Sequence, residues 1–168
     1  SPFNSAHLVG RDSTKRRDDR FLFCALTNPD LIAPWLGVLT AADHPVGGVF
    51  LLPLVMSQLA TTLEPKAANL LTAGTLETGL RLAFFREGAF RLSRLSRADT
   101  TLTGLPRAIL DEISNTRLYL HALRAATLDE SVTLLLLDHA DRLGPAAELI
   151  QAESPGFNCR DRKSTRLN

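Results

Sequence analysis

Cysteine, methionine and large aromatics are scarce in these 168 residues, with two cysteines, one methionine, one tryptophan and one tyrosine. Cys24 and Cys159 form no CxxC pair and no disulfide framework, which suits a reducing compartment. Within Phe21-Leu22-Phe23-Cys24-Ala25-Leu26, Cys24 reads as a small buried hydrophobe. An excess of one charge is also missing. Nineteen Lys and Arg face 18 Asp and Glu, a net charge of +1, which argues against a nucleic-acid binder driven by bulk electrostatics. The longest apolar stretch, Val46–Leu63, is interrupted by Gly47, Gly48, Pro53, Ser57 and Gln58. A membrane-spanning helix needs about 20 mostly apolar residues, so a strand followed by a helix explains the stretch better. No GxxxxGK[ST], HExxH or GxSxG motif occurs, and no secretory signal is visible. His7, His44, His121 and His139 lack metal-ligand spacing with the cysteines. Asp111 and Glu112 would point about 100° apart on a helix, so they make no catalytic pair.

The ends shape what is read between them. The chain opens at Ser1 and closes on Asp161-Arg162-Lys163-Ser164-Thr165-Arg166-Leu167-Asn168. That octapeptide has no apolar periodicity and looks like a translated adapter, expected to be unstructured and dispensable. A fragment with a native sequence ending near Cys159 is expected. Residues 1–19 are polar with mixed signs and read as a solvated loop. The domain proper is expected over 20–157, with 158–168 a non-native tail.

The apolar content, 45%, is ordinary for a globular domain. Arg20–Leu26 predicts a buried strand. Thr27-Asn28-Pro29-Asp30 predicts a helix start, with Leu31, Trp35 and Leu39 on one face. Val46–Leu52 predicts a second strand, and Pro53 opens a helix that Pro65 stops. Leu70–Ala73, Gly79–Phe85 and Ala89–Leu95 predict three antiparallel strands. A two-residue turn at Glu87-Gly88 pairs Phe85 with Phe90 and Ala83 with Leu92, giving one apolar face. Leu105–Leu128 predicts a long helix across that sheet, buried through Leu105, Ile109, Ile113, Leu120 and Leu123. Ser131–Leu137 predicts a strand covered on both faces, and Gly144-Pro145 a final short helix.

The sharpest chemical lure is Thr133–Leu143, where an apolar strand ends in Asp138. This looks like the Mg²⁺-holding strand of an ATPase, but its phosphate-loop partner is missing and His139 follows the acid. The competing reading is a buried strand ending in polar loop residues. Arg81, Arg86, Arg91, Arg94 and Arg97 form the densest basic feature, read as a solvated sheet face in preference to a phosphate or acidic-partner contact.

Three pieces carry a family resemblance: Phe21–Leu59 with its strand, helix, strand and helix; Asn69–Arg94, centred on Phe85-Arg86-Glu87-Gly88-Ala89-Phe90-Arg91-Leu92-Ser93-Arg94; and Ile109–Leu123 with Tyr119. Over about residues 20–150 the chain resembles the actin-like (ASKHA) domain of bacterial PilM proteins and of the related type II secretion L proteins. The resemblance implies an actin-like, ribonuclease H-like mixed α/β sheet flanked by helices, here truncated. It also implies a cytoplasmic position peripheral to the inner membrane and protein partners in that assembly. In nucleotide-binding members an aspartate ends the first hairpin strand, followed by glycine and small hydroxyl residues. Here the string is Leu71-Thr72-Ala73-Gly74-Thr75, so Gly74 and Thr75 are the implied phosphate neighbours and no carboxylate stands beside them. The other phosphate loop would precede Ser1, and no glycine-rich adenosine loop follows Leu137. The expectation is therefore a non-catalytic scaffold without cofactor, ATP and Mg²⁺ not being favoured. The alternative is an actin-like ATPase or sugar-kinase relative whose active half lies outside this sequence.

Overall fold

Apolar runs separated by short polar turns build most of the sheet structure. The computed structural model describes residues 4–12, 18–138, 140–154 and 156–161. The chain divides into two units, 1–51 and 52–168.

In the first unit, β1 (Asn4–Asp12) and β2 (Asp18–Ala25) form an antiparallel hairpin with a bulge between Leu8 and Gly10. The polar N-terminal stretch is thus largely a strand, where a loop was expected. Mixed charge did not preclude pairing: Arg11 faces Asp19 with its Nε 2.7 Å from the carboxylate, although Asp12 faces Asp18 in the next pair of the ladder. A 3₁₀ turn, Pro29–Leu31, leads into α1 (Ala33–Ala41). Leu31, Trp35 and Leu39 are all exposed, Trp35 at 72%. The expected buried face is therefore not buried. Cys24 is only half-buried. No strand forms at residues 46–51, which are irregular. Gly47 and Gly48 weaken an extended segment by their backbone freedom.

In the second unit, α2 (Leu52–Leu63) starts with Pro53 in its first turn and stops before Pro65, as expected. Then come β3 (Asn69–Leu76), β4 (Gly79–Arg86) and β5 (Ala89–Ser96). The three-stranded meander has the expected order, and Glu87 and Gly88 both take positive φ, 52° and 73°, as a tight hairpin turn requires. The register holds at Phe85↔Phe90 and then shifts. Phe84 pairs with Leu92 and Ala83 with Ser93, leaving Arg91 as an extra residue in β5. The predicted Ala83–Leu92 pair is therefore wrong. The bulge turns Leu92 onto the face opposite Phe90.

The α3 helix (Leu105–Ala122) buries Leu105, Ile109, Ile113 and Leu120 as the stripe predicts, but ends before Leu123, which is exposed. Arg124 adopts φ 54°. Its N–H donates to the His121 carbonyl and the Ala125 N–H to the Leu120 carbonyl, both at 2.9 Å, a Schellman termination. Next are β6 (Val132–Leu137), α4 (Ala140–Glu153) and β7 (Phe157–Asp161). The last helix begins ahead of Gly144-Pro145, with Pro145 inside it and Asp141 in its first turn, where an acid suits the helix dipole. The β7 strand was not foreseen. It pairs parallel with β6, Val132↔Phe157 through Leu136↔Asp161, so residues 158–161 belong to the sheet and not to a tail. Phe157 and Cys159 pack against the core, and an alternation this short is too brief to read from sequence. The expected disorder of residues 162–168 lies outside the described residues.

The sheet order is β5-β4-β3-β6-β7. One face carries the larger core, where Leu71, Leu82, Phe84 and Leu134 meet Ile109 and Ile113 of α3 and Leu143 and Ile150 of α4. The other carries Leu70, Ala83, Phe85 and Leu135 under Ala60 and Met56 of α2. As expected for a strand covered on both sides, β6 sends Leu134 to one core and Leu135 to the other.

Candidate functional site

Because β3 and β6 are parallel, their C-terminal ends open onto the same edge of the sheet. In open α/β sheets such an edge is where ligands are received. Three polar side chains meet there. Thr75 comes from the end of β3, Asp138 follows β6 directly, and Arg142 lies one turn into α4. The Thr75 hydroxyl donates to Asp138 Oδ2 in a short hydrogen bond. Arg142 Nη1 lies 3.4 Å from the same carboxylate oxygen and donates to Thr75 Oγ1 at 3.2 Å. Arg142 Nη2 donates to the Thr100 carbonyl in the connection before α3. The Asp138 side chain is 6% exposed and that of Arg142 25%. One residue from Thr100, Asp99 accepts from the Thr101 N–H at 2.9 Å. Backbone and hydroxyl hydrogen bonds from Thr101 hold the Asp99 carboxyl below its usual value.

Gly74 sits beside this cluster for a packing reason. A Cβ there would lie 2.8 Å from the Leu137 carbonyl oxygen, so β3 and β6 can approach only over a glycine. Thr72 is buried and its hydroxyl donates to the Ala83 carbonyl at 3.3 Å, while Ala73 is buried in the larger core. Neither offers a charge to the edge.

Several of the other charged candidates have internal partners. Arg94 pairs with Glu112 at 3.0 Å, Arg81 donates to Ser93 at 3.2 Å, and Arg86 donates to the Ala125 carbonyl at 2.5 Å. Arg86 and Arg94 thus tie the hairpin to α3 and to the segment after it, where a solvated face was expected for all five arginines. Asp111 pairs with Arg107 and Glu112 with Arg94, so the two adjacent acids serve different contacts. Sequence reasoning singled out Asp138 and Thr75 separately but missed Arg142. The available signal was the four-residue spacing from Asp138 to Arg142 across a strand–helix junction. Among the described residues, no group of three or more His, Cys, Asp or Glu is placed to hold a metal ion.

The cluster yields a double-mutant cycle. Asp138→Ala removes a buried carboxylate and strands Arg142 and Thr75. The expected cost is about 1–3 kcal/mol, below the roughly 3–5 kcal/mol of a fully buried broken pair, because Arg142 keeps some water. The double variant Asp138→Ala, Arg142→Met should lose clearly less than the sum of the single variants in urea denaturation. Strict additivity would show that the three groups do not act together.

A five-stranded sheet in which only β4 runs against the others, with helices on both faces, defines an actin-like mixed α/β fold. Among solved structures, a chain of the PilM-PilN type IV pilus biogenesis complex is similar to this one, with a TM-score of 0.62 and 13% sequence identity. The match covers 93% of this chain and 55% of that chain. No family model and no curated protein matches the sequence. No helix among the described residues is long and apolar enough to cross a membrane.

Proposed function

We propose that this chain is a non-catalytic assembly component of a type IV pilus or type II secretion-like machine, on the cytoplasmic side of the inner membrane, engaging a PilN-type protein. The fold's likeness to a chain of a pilus biogenesis complex supports the machine. The non-catalytic status rests on one observation: the buried strand-end carboxylate, Asp138, is engaged by Arg142 and Thr75. Mg²⁺ in nucleotide sites is usually held by one or two carboxylates plus the substrate phosphates. Here the guanidinium occupies the electrostatic role that a metal would take, and Thr75, an implied phosphate neighbour, has its hydroxyl turned to the same carboxylate. Gly74 and Thr75 are still where a phosphate would approach. In this proposal that edge holds structure and performs no phosphoryl transfer.

Two measurements test the reading. Co-expressed with the PilN-type protein of its own organism, the chain should co-purify as a stoichiometric complex. Calorimetric titration with Mg-ATP should give no saturable heat at millimolar nucleotide. Micromolar binding that Thr75→Val weakens would overturn the non-catalytic reading in favour of an ATPase. Thr75 is the informative position, since any Gly74 side chain would push β3 from β6 and remove ligand and fold together.

A further inference from the structure

We draw no further inference here: the strongest candidate, the uncharged flank of α2 where Leu52, Val55 and Leu59 stay exposed at helical spacing, is an unpartnered apolar surface, and nothing in the structure shows what covers it.

Discussion

Gly79→Ala is expected to cost at least about 4 kcal/mol, enough to unfold much of the second unit in a protein of ordinary stability. Two causes add. Gly79 has φ 130°, a region closed to residues with a side chain. A Cβ there would also lie 2.2 Å from the Ser96 carbonyl oxygen. That oxygen belongs to the backbone of β5, so no side chain can swing aside to make room. The β4 and β5 strands must part at Leu80↔Ser96, where their ladder ends. Urea denaturation followed by circular dichroism should show a collapsed midpoint or an unfolded baseline. A midpoint within error of the unaltered protein would mean that this end of the hairpin is much looser than described.

Phe84→Ala is expected to cost about 3–5 kcal/mol, the range for deleting a buried aromatic ring. Phe84 has 0% exposure and lies on β4 within the larger core, with strands on either side. It also faces the bulge, opposite Leu92. The surrounding sheet is held by backbone hydrogen bonds and can collapse little into the space. Phe84→Leu should recover part of the loss, because it keeps most of the apolar volume. The urea midpoints of the two variants should therefore rank leucine clearly above alanine. Equal midpoints would show that the ring does not fill a rigid site.

Much of the second unit was legible because its signals are local. The Glu87-Gly88 turn, the prolines around α2 and the apolar stripe of α3 each act within a few residues, and each lies where it was expected. What escaped depends on contacts distant in sequence. The extra residue at Arg91 follows no turn rule. The end of α3 is set by the backbone at Arg124, and its arginine gives no glycine cue. The β7 strand exists because β6 offers a free parallel edge, which five residues cannot announce by themselves. The first unit misled for a different reason. Its hairpin pairs while Leu8, Phe21 and Phe23 stay exposed, and α1 is apolar without having any buried residue. In the candidate site, Thr75 and Asp138 were visible one at a time. Their meeting, and the guanidinium between them, needed the β3–β6 pairing, which joins residues 63 positions apart.

The bulge in β5 makes the hairpin behave like a reading frame. From Leu92 onward, inside and outside are defined by counting from Arg91. Pairing that residue into a regular ladder would leave composition, turn and strand length unchanged. It would nonetheless send Leu92 toward α2 and turn Arg94 away from Glu112, exchanging the faces of every later position in the strand. Deleting Arg91 would do the opposite: the ladder would close with Phe85 still facing Phe90 and Phe84 still facing Leu92, and each core would keep its half of the strand. The extra residue can therefore be lost from this hairpin more safely than it can be paired.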